Sequence, residues 1–150
     1  MAGILASTQT ITAANSTFVL AVPAMGLTFS LQQFSAGRML DIDDFQLSET
    51  RVGVDGYLAA GYTPQPIVQT ISLEANSLSR PMIASIAEYV KMQREIVYVE
   101  GVITLPAIKT IYTMTRGVFS RLTPMVGAGT VLNPTTFQII WEQVVPSTYA

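Results

Sequence analysis

Alternation of apolar and polar residues, the period of a half-buried strand, dominates this chain. Residues 67–75 set Ile67, Ile71, Leu73 and Ala75 on one face and Val68, Thr70, Ser72 and Glu74 on the other. Residues 135–145 repeat the pattern, with Phe137, Ile139 and Trp141 opposite Thr136, Gln138 and Glu142. Residues 17–22 and 27–34 are strand-like and are separated by Pro23 and Gly26, which predicts a hairpin or corner. From Phe45 to Val54 the alternation places Phe45 and Leu47 opposite Gln46, Ser48 and Thr50. It then changes phase at Val52 and Val54, which predicts a bulge near Arg51. Asp55-Gly56 follows between two β-like runs, the signature of a hairpin whose type I′ turn needs positive φ at both central residues. The returning strand, 57–62, ends before Pro64 and Pro66.

Helical spacing is confined to about 79–94, where Met82, Ile83, Ile86, Tyr89 and Val90 share a face. Ser77 or Ser79 is placed to cap this helix, and Pro81 sits in the first turn, where its missing N–H costs nothing. Burying four or five such side chains contributes on the order of 8–12 kcal/mol before entropy is subtracted, so the helix must lie against a sheet. Strand patterns resume at 95–105 and 109–120. Strands before and after a single helix, without βαβ alternation, predict a mainly β chain: an antiparallel β-sandwich or barrel with one flanking helix. Its 150 residues are expected to form a single domain, with an extended segment at about 1–16 and a polar loop at about 35–44.

Composition narrows the function. Only 12% of residues are charged, against roughly 25% in ordinary soluble domains, and mean hydropathy is +0.41. A protein with so little charge either enters a membrane or has much of its exterior covered by other subunits. No charged residue occurs before Arg38, but the apolar run in that stretch is short and carries Pro23 and Gly26. A spanning helix wants about 20 apolar residues and a secretory signal a basic start, so neither is expected. The uncharged segment 122–141 is broken by Pro124, Gly127, Gly129 and Pro134. Subunit burial is the better account.

There is no histidine and no cysteine. That removes the usual general base, every thiol nucleophile and most metal ligands. Asp41, Asp43 and Asp44 form a D-x-D-D cluster, but the glycine and distal glutamate of a calcium loop are missing. The glycine pairs Gly53/Gly56 and Gly127/Gly129 open no helix and precede no G-K-[ST], so they are turn residues. Eight scattered Lys and Arg with a pI near 4.9 give no basic nucleic-acid face. No catalytic residue, cofactor or metal is expected; the chain is not an enzyme.

The run Gly53-Val-Asp-Gly-Tyr-Leu-Ala-Ala-Gly61, then Pro64-Gln-Pro66 and Gln69-Thr-Ile-Ser-Leu-Glu-Ala-Asn-Ser77, resembles a signature of bacteriophage tail tube proteins. So does the C-terminal half, with Gly101-Val-Ile-Thr-Leu-Pro106, Tyr112, Gly117, Pro124, Leu132-Asn-Pro134 and Ile140-Trp-Glu142. The similarity extends over about 18–146, and the order and spacing of the motifs carry it. This resemblance implies the fold shared with pyocin and type VI secretion tubes. It also implies homo-hexameric rings that stack into a hollow tube in the virion, through which the genome leaves without specific DNA binding. The implied partners are the tape measure protein, the baseplate and tail terminator proteins, and a sheath protein if the tail contracts.

Within that picture Ser48, Thr50, Thr70, Ser72 and Glu74 are candidates to face the lumen. Arg38, Asp41, Asp43 and Asp44, with the uncharged N-terminal segment, are candidates for contacts between rings. Two other readings remain. One is a tube-like baseplate or tail-terminus paralogue that initiates or caps the tube. The other is a monomeric barrel of lipocalin type that binds a small ligand. The hairpin has its own test: Gly56→Val should cost roughly 1–2 kcal/mol or more, because positive φ is forced on a branched residue. Unchanged assembly and thermal stability would remove the turn from Asp55-Gly56.

Overall fold

The computed structural model describes residues 14–32, 34 and 40–149. Its strands are β1 (Thr17–Val22), β2 (Leu27–Ser30), β3 (Leu40–Ile42), β4 (Ser48–Val52), β5 (Leu58–Tyr62) and β6 (Ile67–Leu73). The helix α1 (Arg80–Gln93) follows, then β7 (Val99–Leu105), β8 (Thr110–Leu122) and β9 (Thr135–Thr148). Seven strands form one antiparallel sheet in the order β2-β1-β7-β8-β9-β6-β3, and β4 and β5 form a separate hairpin. The molecule is thus mainly β with one flanking helix, the class that the alternating pattern predicts.

The sheet closes toward itself because its two edge strands are consecutive in the chain. Beyond β2, Phe34 bridges to Leu73 of β6, and β3 continues along the same strand with Leu40 opposite Ile71. Hydroxyls tie the closure. Gln32 N–H donates to Ser79 Oγ (2.9 Å), Ser79 Oγ donates to Ser30 O (3.2 Å), and Ser77 Oγ donates to Gln32 O. Ser79 therefore stands at the N-cap position of α1 without capping it, since its hydroxyl is committed to the end of β2. Phe18 and Leu20 of β1, Ile71 of β6, Ile139 of β9, and Ile83 and Ile86 of α1 share one core.

Trp141 is the largest fully buried side chain, and two glycines make room for it. A Cβ on Gly117 would stand 2.5 Å from the indole Cε3 and 2.9 Å from Ile139 Cγ2, and one on Gly101 would stand 3.1 Å from Cη2. The indole Nε1–H donates to Oε1 of Gln69 at 3.0 Å, so both polar groups are satisfied out of water. Beside this seat β8 carries an irregularity. Its pairing with β7 shifts between Val99 and Gly101, where Arg116 adopts φ +50, while its pairing with β9 runs through unshifted. A second shift, against β9, lies between Phe119 and Arg121.

Several expectations change. No bulge occurs near Arg51: β4 and β5 pair in unbroken register from Ser48↔Tyr62 to Val52↔Leu58. The phase change reflects where β4 begins, since Phe45 and Leu47 precede the strand. The turn is not type I′. Gly53 O accepts from Gly56 N–H (2.9 Å), and Gly53 N–H donates to Tyr57 O (3.0 Å). Gly56 has φ +85, while Asp55 is not among the positive-φ residues. This is a type I turn closed by a glycine bulge, which needs positive φ once only. The polar segment at 35–44 is not wholly loop, because β3 occupies its end. Arg38 and most of the N-terminal segment lie outside the described residues.

The glycine seat gives a direct test. Gly117→Ala should lower folding stability by about 1–3 kcal/mol, as overpacking of a filled core does, read from chemical denaturation midpoints. A midpoint equal to that of the unaltered chain would mean that Trp141 is not held as described.

Candidate assembly surfaces

Every residue of β4 and β5 is exposed. The hairpin makes no substantial contact with any other element and projects as an arm. Its register sorts the side chains, because directly paired residues share a face. One face carries Ser48, Tyr62, Thr50, Ala60, Val52 and Leu58; the other carries Glu49, Gly61, Arg51 and Ala59. Val52, Leu58 and Tyr62 are 68%, 67% and 79% exposed, and Val54 at the tip is wholly so. An isolated two-stranded hairpin is marginally stable in water, and an apolar face on it raises the cost of leaving it uncovered. The local ties are few. Thr63 N–H donates to Leu47 O (3.2 Å), and Tyr57 N–H donates to Asp55 Oδ1 (3.2 Å).

Charge is distributed unevenly. Residues 41–62 hold five of the ten acids (Asp41, Asp43, Asp44, Glu49, Asp55) and one base, Arg51, for a net −4. With −2 over the whole chain, the remainder is +2. The arm and its root are therefore an acidic projection on a weakly basic body. Among the described residues no group of three or more acids comes together to hold a metal ion.

The outward face of the sheet is chemically quiet. Across β6, β9 and β8, Val68, Ile140 and Val118 form one row, and Thr70 pairs with Gln138 in the next. Ser120 Oγ lies 2.8 Å from Gln138 Oε1, and Ser72 pairs with Thr136, whose hydroxyl lies 3.2 Å from that of Thr123. Arg116 emerges from the bulge over the Tyr98 ring (4.6 Å to the centroid), and its Nε lies 2.9 Å from Glu142 Oε2. Both partners are well exposed, so the pair adds little stability, but it leaves the guanidinium charge matched.

An apolar cleft of about 810 Å³ opens beside the arm's root, with Ile67, Ile103, Tyr112 and Val144 in its walls and Gln69 and Trp141 at its floor. Asp43 and Asp44 stand among its lining residues.

The residues singled out from the sequence fall in separate places. Thr70 and Ser72 lie in the hydroxyl-rich rows of the outward face, while Ser48 and Thr50 lie on the apolar side of the arm. Glu74 follows the end of β6, in a turn where its carbonyl accepts from Ser77 N–H (3.0 Å). The five thus do not share one face. Asp41, Asp43 and Asp44 follow one another along the chain at the arm's root, Asp41 in β3 and the others just after it. Asp55 and Gly56 form the arm's tip. Missed were the amphipathic arm as a unit, the Arg116–Glu142–Tyr98 group and the buried Gln69. The even spacing of Gln69 with Ile67 and Ile71 could have revealed the last.

Comparison with known proteins follows this geometry. Residues 9–145 match the profile of a family described as "Tail fiber protein gp32". No curated protein matches the chain. Among solved structures, a chain of the six-fold symmetrised baseplate of the anti-feeding prophage matches with a TM-score of 0.57 and 10% identity, covering 99% of this chain and 98% of that one. A chain from the cap that terminates the tube of the same particle gives 0.57 and 12%, covering 98% and 97%. The sheath/tube terminator structure of PVC, an extracellular contractile injection system, gives 0.57 and 13%, covering 95% and 100%. At these identities the likeness is one of fold. Among the described residues no helix is long and apolar enough to cross a membrane.

If the arm's apolar face serves assembly and not folding, Val52→Ser with Leu58→Ser should shift global unfolding by no more than about 0.5 kcal/mol. The same double variant should sediment as smaller species than the unaltered chain at equal concentration. A large loss of stability with unchanged assembly would reverse that assignment.

Proposed function

Because the chain belongs to the family described as tail fiber protein gp32 and is a structural component of a phage tail, we propose that it is a ring-forming subunit of the tail tube. In this reading six copies close into a ring, rings stack into the inner tube of the virion, and the genome leaves through the lumen. The observation that carries the reading is the arm, an amphipathic hairpin that no other element of the described residues covers. Neighbouring copies supply that cover, and a closed ring gives every copy the same cover.

The outward face of β6, β9 and β8 suits a lumen wall. Thr70, Ser72, Gln138 and Ser120 offer hydroxyls and amides, and Arg116 is neutralised by Glu142. Such a wall gives DNA little to bind, because affinity grows with the number of phosphates neutralised by protein cations. Thr70 and Ser72 are the lumen residues of this proposal. Asp41, Asp43 and Asp44, at the root of the arm, face the next ring. The partners are the tape measure protein, the baseplate and terminator proteins and, in a contractile tail, the sheath. The subunit acts by shape and performs no catalysis.

A second reading is supported by the comparisons more than the first. The three structural likenesses come from baseplate, cap and terminator structures, which fits a paralogue that begins or closes the tube. Copy number separates the two. Quantitative mass spectrometry of purified particles should find many rings' worth of this chain for a tube subunit, and one or two rings' worth for a tube-end protein. Absence from the particle would contradict both.

A further inference from the structure

We infer that the cleft beside the arm's root binds an extended peptide segment of a different protein, in which an apolar residue is followed closely by a lysine or arginine. The inference concerns the free chain and does not depend on ring formation.

The cleft, at about 810 Å³, falls within the range of about 300–1,000 Å³ usual for sites that enclose a ligand. Ile67, Ile103, Tyr112, Met114 and Val144 give it an apolar lining. The apolar surface continues past the cleft onto Ile42 and Phe45 at its rim, 57% and 51% exposed. The occupant is therefore a strip of apolar chain that reaches from the floor to the rim.

The floor asks for a hydrogen-bond acceptor. Gln69 is only 1% exposed, and its Oε1 accepts from the Trp141 indole. Its Nε2–H groups meet no acceptor among the described residues. Ser16 Oγ is the one sealed side-chain polar atom without a partner among those residues, so Gln69 Nε2 is not sealed. It opens on the cleft that Gln69 lines. A buried amide donor left without an acceptor is costly, and a peptide carbonyl entering the cleft removes that cost.

The rim asks for a cation. Ile42 pairs with Gln69 across β3 and β6, and Asp43 and Asp44 follow Ile42 directly. Both acids line the cleft, and no Lys or Arg does. A peptide whose carbonyl accepts from Gln69 thus brings a basic side chain to the acids one or two residues further along. Apolar lining, a free donor at the floor and two carboxylates at the rim together define the partner's segment.

The test uses the full-length chain below the concentration at which it assembles, with labelled heptapeptides as probes, read by fluorescence anisotropy. A peptide with two central leucines and a lysine two residues on should bind, and glutamate in place of that lysine should weaken binding by roughly tenfold or more. Asp43→Asn with Asp44→Asn should erase the preference for lysine and leave the thermal melt unchanged. Val144→Phe, which narrows the cleft and keeps both acids, should weaken both peptides. Equal affinity for the two peptides, or a lysine preference that survives loss of both acids, overturns the inference. So does binding that Val144→Phe leaves unchanged, since the peptide then sits elsewhere. Binding of neither peptide, with self-association that Val144→Phe abolishes, gives the cleft to a second copy and overturns it as well. Displacement of the lysine peptide by 4-phenylbutylamine, which has a cation but no carbonyl, at equal affinity would remove the role assigned to Gln69.

Discussion

Trp141 is the contact around which the body is built. Its indole needs a flat, empty seat on the concave side of the sheet, and Gly117 of β8 and Gly101 of β7 provide it. Its N–H needs an acceptor in a place without water, and Gln69 of β6 provides that at 3.0 Å. Three strands, β6, β7 and β8, are thereby fixed to β9 through one side chain. A buried donor without its partner would cost about 1–3 kcal/mol, so the amide belongs to the fold as firmly as the apolar residues around it. The bulge at Arg116 follows from the same seat. It lets β8 change its register against β7 beside Gly117, and it turns the arginine outward to Tyr98 and Glu142.

With the body held in this way, the arm becomes the part that needs explaining. The core is complete without it, and its strands contribute nothing buried. An apolar hairpin that the other described residues leave bare is costly for a monomer and useful for an assembly. On the proposed reading the low charge of the whole chain has the same origin, since surfaces that meet copies of themselves cannot carry much charge of one sign. The charge that exists is uneven, with half of the acids on the arm and its root and a slight excess of bases over the rest of the chain.

Much of the body could be read from the sequence because its strands alternate cleanly. β6 and β9 show their buried faces at every second residue, and α1 shows its own at helical spacing. What could not be read has physical reasons. The even spacing of Gln69 places it on the buried face of β6, but periodicity cannot name its partner, which lies 72 positions away. Arg116 in a left-handed conformation leaves no residue-type signal, since sequence patterns expect glycine or asparagine there. Asp55-Gly56 points to a turn of some kind, but one glycine serves both a type I′ turn and a type I turn with a bulge. The strand β3 is three residues long inside a polar stretch, too short to establish a period. Of the site, Thr70 and Ser72 could be read as outward residues of a strand. Ser48 and Thr50 could not be assigned to the apolar side of an arm, because that depends on where pairing begins.

The central claim is that this chain completes its surface only with copies of itself. Cryo-electron microscopy of the purified full-length protein across a range of concentration tests it most directly. The account predicts closed six-membered rings, with the arm of each subunit covered by a neighbouring copy. A monodisperse monomer at high concentration, with the arm exposed to solvent, would contradict it.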